Sequence, residues 1–255
     1  MRRFLPAVLL ALALAGVLVA CGTAAPALSD PDDIISQGMK ATSQATSFHV
    51  DVQVTGTVNI EQTGGTFNLE GTTAAGDFDV PGKLARLSFN APGLMGLTGE
   101  VIQIGSDSYV KTSLTGAQYM KSTTTGADGV QTNPDELFKQ VSSFLDKEGV
   151  ETAKKDDVDC GDAKCYAVTL TVPSSLLADA GSSSGVDIGQ FIGDSVVLNL
   201  QFDRQSLRLS SASTDIDAGT VGKFGLSVTL SKYNEGVQVS PPPSDQVTEG
   251  GGFGL

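Results

Sequence analysis

From Phe48 onward the chain alternates apolar and polar residues. Phe48, Val50, Val52, Val54, Val58 and Ile60 share one parity, while His49, Asp51, Gln53 and Thr55 take the other. Successive side chains of a strand point to opposite faces, so this pattern predicts a long, half-buried strand. A turn near Gly64-Gly65 leads into a second strand carrying Phe67 and Leu69. The same alternation predicts strands around residues 87–89, 100–104, 108–113 and 118–122. Tyr166, Val168, Leu170 and Val172 mark the return strand of a hairpin through Cys160 and Cys165. Three last strands follow, with Val196, Leu198, Leu200 and Phe202, then Leu207 and Leu209, then Phe224, Leu226, Val228 and Leu230.

Elsewhere the period is helical. Ser29-Asp30-Pro31-Asp32-Asp33 reads as a helix start: a capping side chain, Pro in the first turn, and acids at the positive end of the helix dipole. Ile34, Ile35, Met39 and Thr42 then share a face through about Ser47. Asn133-Pro134-Asp135-Glu136 is a second start, and Leu137, Phe138, Val141, Phe144 and Leu145 form a stripe up to Gly149. Pro173 opens a short helix over residues 174–180, followed by a Gly-Ser-rich stretch, and Pro241-Pro242-Pro243 stops the sheet. Strands with one polar and one apolar face require an antiparallel sheet wetted on one side, with the amphipathic helices covering the other. The expected class is α+β: a single strongly curved antiparallel sheet, a half β-barrel, with helices packed on its concave face. Residues 31–243 make one domain, and residues 244–255 are expected to form a disordered tail.

The first twenty residues form a different kind of segment. Met1-Arg2-Arg3 is a short positive start, Phe4 to Val17 an almost unbroken apolar run, and Leu18-Val19-Ala20-Cys21 closes it with small residues and a thiol. That order is a secretory signal, and the run falls short of the about 20 apolar residues of a spanning helix. Leu-Val-Ala-Cys resembles the bacterial lipobox, which implies that Cys21 receives diacylglycerol and becomes the new N-terminus. An ordinary cleaved signal with an incidental Cys, or a simple membrane anchor, are the alternatives. Residues 21–30 are then a lipidated tether. The expected location is the extracytoplasmic face of the cell membrane, held there by lipid.

Charge narrows the partners. The 255-residue chain has a formal net charge of −13, and Arg2 and Arg3 leave with the leader. An acidic surface is repelled by nucleic acid, so nucleic-acid binding is excluded. Thirty glycines, 6% aromatics and no Trp favour short strands and turns. With Cys21 assigned to lipid, Cys160 and Cys165 are left as a pair in an oxidising compartment, for which a disulfide is the default. So small a loop gains only about 2 kcal/mol from unfolded-state entropy. A redox or metal role would need Cys-x-x-Cys spacing or a nearby ligand His, and neither is present.

No catalytic pattern emerges. His49 is the only histidine and sits at a polar strand position, the usual place of a solvated side chain. There is no Gly-x-Ser-x-Gly elbow, phosphate loop or zinc spacing. Asp156 to Asp162 has part of a calcium-loop pattern but lacks the oxygen ligand before the Gly and the distant Glu, and a solvated hairpin end accounts for it. The chain reads as a non-enzyme without cofactor or metal.

Several short motifs stand together in the chain: the lipobox; Met39-Lys40 with Ser47-Phe48-His49-Val50; Val54-Thr55-Gly56; Gly105-Ser106-Asp107-Ser108-Tyr109-Val110-Lys111; Leu137-Phe138; and Val239 to Pro243. In this combination the chain resembles the LppX/LprA/LprF/LprG family of bacterial lipoproteins. The resemblance covers most of residues 31–243. It implies a half β-barrel with helices across its concave side, enclosing an apolar cavity for an acylated lipid or lipoglycan, and a membrane transporter as a candidate partner. Ile34, Ile35, Met39, Leu137, Phe138, Val141, Phe144 and Leu145 are the residues expected to line that cavity. A sixteen-carbon chain exposed to water forgoes roughly 12 kcal/mol, so a carrier needs such a dry surface. The competing reading is a non-enzymatic envelope structural, interaction or assembly module in which the same stripes form a filled core. A hydrolase with a carboxylate site is a distant third.

Overall fold

The computed structural model describes residues 27–60, 65–123, 145, 147–177 and 193–249. Among the described residues, helix α1 (Pro31–Ser43) precedes the sheet. Asp30 caps it as the composition of the start predicts, its carboxylate accepting from the backbone N–H groups of Asp32 and Asp33 at 2.9 and 3.2 Å. The helix ends at Ser43, a turn earlier than expected. There the Thr42 hydroxyl donates to Gly38 O at 2.7 Å and accepts from Leu209 N at 2.8 Å, tying the last turn to the sheet.

Fourteen strands form one open sheet. In chain order they are β1 (Ser47–Ile60), β2 (Gly65–Asn68), β3 (Thr72–Asp79), β4 (Leu84–Ala91), β5 (Leu97–Ile104), β6 (Asp107–Thr112), β7 (Tyr119–Thr123) and β8 (Glu151–Lys154), then β9 (Val158–Cys160), β10 (Ala163–Pro173), β11 (Ser195–Asp203), β12 (Leu209–Asp217), β13 (Gly222–Ser231) and β14 (Val247–Glu249). The spatial order is β14-β7-β6-β5-β4-β3-β1-β13-β12-β11-β10-β8, with β2 beside β1 and β9 beside β10. Every pair is antiparallel except β14 with β7. The expected curved antiparallel sheet is therefore present. No described helix is long and apolar enough to cross a membrane.

Several expectations are corrected. Strand β3 was not anticipated, because Thr72-Thr-Ala-Ala-Gly-Asp-Phe-Asp79 has small residues where alternation would place large ones. Leu69 lies in a turn rather than on β2, and Leu207 sits in the β11–β12 turn with φ +58°. The disordered tail expected from residue 244 is corrected over residues 244–249 alone. The chain continues as a 3₁₀ turn at Ser244–Gln246 and then as β14, a parallel strand on the edge of β7. Residues 250–255 lie outside the described residues. The antiparallel ladder already ends at Ser231, where Lys232 and Asn234 turn the chain at φ +50° and +61°, and the strand beyond the prolines joins a different edge.

That C-terminal segment is a strap. It leaves β13 at Ser231 and reaches β7, six strands away in the sheet order. Asn234 N donates to Ser47 O at 2.9 Å at its start. Val239 and Val247 pack on a cluster of Ile102, Tyr109 and Tyr119. These three have the opposite parity to the apolar face described next, so the strap covers the outer side of the sheet.

Candidate functional site

Registers across the sheet align one apolar row through eight strands. Val168 (β10) pairs with Leu200 (β11), Leu200 with Ala212 (β12), Ala212 with Val228 (β13) and Val228 with Val52 (β1). Val52 pairs with Ala74 (β3), Ala74 with Phe89 (β4) and Phe89 with Gly99 (β5). A second row runs from Val50 through Gly76, Leu87, Val101 and Val110 to Met120. Seven strand spacings of about 4.8 Å make the first row about 34 Å wide. No charged side chain interrupts either row.

Burial along the row is graded. At the β10–β11 end, Val168, Leu170, Val172, Leu200 and Phe202 are at most 3% exposed. Helix α1 lies on them, with Ile34 and Ile35 fully buried and Met39 at 3%. Gly38 permits the close approach, since a Cβ there would stand 2.3 Å from Phe202 Cδ1. From β12 onward the same row is only half-buried: Ala212, Val228, Val52, Ala74 and Phe89 all keep some solvent exposure, and Leu226 on the neighbouring row is 37% exposed. Phe48 and Phe78 stack with centroids 5.1 Å apart at the edge of this half-buried region.

Two hydroxyls on this face lack partners. Thr214 (7% exposed) and Thr72 each bury an Oγ1 that makes no hydrogen bond. They lie in one row, Thr214–Leu226–Val54–Thr72, across four strands. A shallow pocket of about 260 Å³ opens at the other end of β1, lined by Phe48, Asp77, Lys232, Glu235, Gly236, Val237 and Gln238. It mixes charge with a single aromatic and differs from the apolar cavity expected.

The predicted site residues separate as follows. Ile34, Ile35 and Met39 come together in the packed cluster under α1, and Leu145 packs half-buried against that cluster. Leu137, Phe138, Val141 and Phe144 lie outside the described residues, as does Cys21. Cys160 and Cys165 are bonded to each other, with Cα atoms 5.9 Å apart, across the β9–β10 hairpin. Val52, Ala74, Leu87, Phe89, Val101, Val110 and Met120 were not singled out as site residues, although for all but Ala74 the alternation of their strands was legible. What the alternation could not reveal was which strands stand side by side.

Polar chemistry lies on the outer face. His49 is held by Asp77 Oδ1 at 2.7 Å from Nδ1 and by Asp51 Oδ2 at 3.4 Å from Nε2, its side chain 18% exposed. Glu100 accepts from Tyr119 Oη and from Arg86 Nε. Burial pushes the Glu100 carboxyl up, but the Tyr119 and Arg86 hydrogen bonds and the charges of Arg86 and Lys111 outweigh it and hold the group below its ordinary value. On the apolar side, Tyr233 packs near Phe48, burial pushes its phenol far up, and it donates to Leu209 O at 2.5 Å. Among the described residues, no group of three or more His, Cys, Asp and Glu is placed to hold a metal.

An open antiparallel half-barrel with one continuous apolar face and a helix packed at one end defines the class of fold. The same fold occurs in the Mycobacterium tuberculosis lipoprotein LppX, at 20% identity and TM-score 0.53, over 83% of this chain and 100% of that one. It occurs also in LprF from Mycobacterium bovis, at 16% identity and TM-score 0.56, over 85% of this chain and 98% of that one. No protein-family model and no curated protein sequence matches the chain. The fold is thus the LppX/LprF fold, as the sequence motifs implied.

Proposed function

We propose that this chain is a membrane-anchored extracytoplasmic lipoprotein that binds acylated lipids on its apolar face and carries them within or across the cell envelope. The eight-strand apolar row carries the reading. Its half-buried part, from β12 through β13, β1, β3 and β4 to β5, offers five strand spacings, about 24 Å. An acyl chain is about as long as half the ~30 Å hydrocarbon core of a bilayer, so this part of the face can cover one along its length. Transfer of each methylene from water to such a face contributes about 0.8 kcal/mol, which supplies affinity without any catalytic group. Cys21 supplies the anchor, and Cys21→Ser is expected to release the protein from membranes and to block processing.

The deciding experiment is native mass spectrometry of the protein purified from its own host. A bound lipid, lost when Val52 and Leu87 are both replaced by Asp, supports the carrier. A lipid-free protein that takes up no acylated lipid in reconstitution refutes it. The filled-core alternative has its own support at one end, where Ile34, Ile35 and Met39 leave no room between α1 and β10–β11. Lipid contact is therefore assigned to the half-buried strands, and the α1 residues to packing at the closed end.

A further inference from the structure

The two ends of the sheet differ in their turns. At the end where β1 begins, the turns are charged: Asp79 and Lys83 between β3 and β4, Asp107 at β5–β6, Asp162 and Lys164 at β9–β10, and Asp203 and Arg204 at β11–β12. At the opposite end lie the β4–β5 turn, the β6–β7 turn and the β12–β13 turn at Ala218–Val221. Residues 87–99 and 112–120 contain no Asp, Glu, Lys or Arg, in a chain of net charge −13. At the tips of two of these uncharged turns stand Met95, 90% exposed, and Leu114, 78% exposed. They are the two most exposed large apolar side chains among the described residues.

Neither tip is a frayed loop. Leu94 N donates to Ala91 O, Gly96 N to Pro92 O and Leu97 N to Leu94 O, each at 3.0 Å. Met95 is held at φ +56°, a left-handed conformation uncommon for a residue with a side chain, followed by Gly96 at φ +68°. The β6–β7 turn is closed by Thr115 N to Thr112 O at 3.0 Å and Thr112 N to Thr115 Oγ1 at 2.9 Å. Ser113 N to Thr98 O, at 2.8 Å, joins the two turns. Because β5 lies between β4 and β6, the knobs stand about 10 Å apart on one end of the sheet.

We propose that Met95 and Leu114 are membrane-docking tips that insert into the interfacial region of a bilayer and set the uncharged β4–β5 and β6–β7 turns against it. Two convex knobs expose far less than the about 800 Å² a side of a stable protein interface, so a protein partner or a second copy is a poor fit. A fluid lipid surface needs no matching groove, and shallow apolar insertion adds to an existing anchor. With no cation on either of these two turns, and Lys223 at the β12–β13 turn paired with Asp217 at 2.6 Å, the tips suit a neutral surface and gain nothing from anionic headgroups. The proposal holds whether or not the apolar face carries cargo, so its test is independent of the carrier reading.

The chain has no Trp, so a single introduced Trp is a clean reporter. The full chain, as its host processes it, is reconstituted into phosphatidylcholine vesicles whose acyl chains are brominated. Met95→Trp and Leu114→Trp are each expected to shift their emission to the blue and lose intensity, while Ser106→Trp at the charged end does neither. Met95→Asp introduced with Leu114→Trp should abolish the Leu114→Trp signal. Absence of quenching at both tips, or equal quenching at all three positions, overturns the proposal. A blue shift that grows with protein concentration without vesicles would show self-association, and overturns it too.

Discussion

Gly38→Ala tests whether the α1 end of the sheet is packed. The added Cβ would fall 2.3 Å from Cδ1 and 2.5 Å from Cε1 of Phe202. Carbon atoms rest at about 3.5–4.0 Å, so ring or helix must move by more than 1 Å. Phe202 is fully buried, and its strand is held in register with Tyr166 on one side and Leu209 on the other. The ring therefore has no free direction. Overpacking of this kind costs about 1–3 kcal/mol, and the gain in helix propensity from Gly to Ala returns at most about 1 kcal/mol. A net loss of about 1–2 kcal/mol lowers Tm by about 2–8 °C in a domain of this size. Thermal and urea melts of Gly38→Ala, Phe202→Leu and the pair should show that the smaller side chain relieves the clash, as a coupling energy in the double-mutant cycle. If Gly38→Ala instead raises Tm, space that accepts a methyl group lies between α1 and β11. The assignment of Ile34, Ile35 and Met39 to packing would then be wrong.

Three other perturbations probe separate parts of the molecule. Thr214→Val removes a buried hydroxyl without a partner, and should stabilise the lipid-free protein by about 1 kcal/mol in urea melts; a loss of stability would mean that hydroxyl is satisfied. Replacing Cys160 and Cys165 by Ala opens a loop with a sequence separation of 5, so stability should fall by about 2 kcal/mol with lipid uptake unchanged, and a thiol assay on the native secreted protein should find neither cysteine free. Because Glu100 is held below its ordinary value of 4.5 in the folded state, its contribution is present at neutral pH and is lost as pH falls below that value and through the lower folded-state one. Glu100→Gln should flatten that part of the stability-against-pH curve, and an unchanged acid limb would place the sensitivity elsewhere.

Legibility of this fold in its sequence followed the size of the side chains. Strands β1, β10 and β11 carry runs of Val, Leu, Tyr and Phe at alternate positions, Phe48 to Val54, Tyr166 to Val172 and Val196 to Phe202, and those parities match the structure. Helix α1 was readable from Asp30-Pro31 and its stripe because capping and dipole chemistry are local. Strand β3 escaped because Ala74 and Gly76 occupy its inward positions, where the neighbouring Phe89 and Leu87 supply the volume. The end of β12 escaped for the same reason, with Thr214 inward. The strap escaped for a different one: its strand is parallel to an edge six strands from where it starts, a long-range pairing that leaves no periodic trace in three residues.

The candidate site was legible as a parity and illegible as a place. Sequence alone assigns Val52 and Phe89 to apolar faces but cannot say that Ala74 joins them, nor that Val168 lies four strands from Val52 in the same row. The register also explains why the α1 residues, the strongest apolar signal near the N-terminus, are poor candidates for lipid contact. A stripe that buries completely against a sheet has spent its apolar surface on the fold. The strands that keep theirs half-exposed are those with small residues interleaved, Ala74, Gly76, Ala85 and Gly99, beside Phe89, Leu87 and Val101. Small residues in mid-sheet let their neighbours lie across them: a Cβ at Gly76 would stand 2.9 Å from Leu87 Cδ1, and one at Gly99 2.4 Å from Phe89 Cζ. The sequence feature that hid β3 is therefore the one that keeps this half of the face continuous and apolar, as the proposed lipid contact requires.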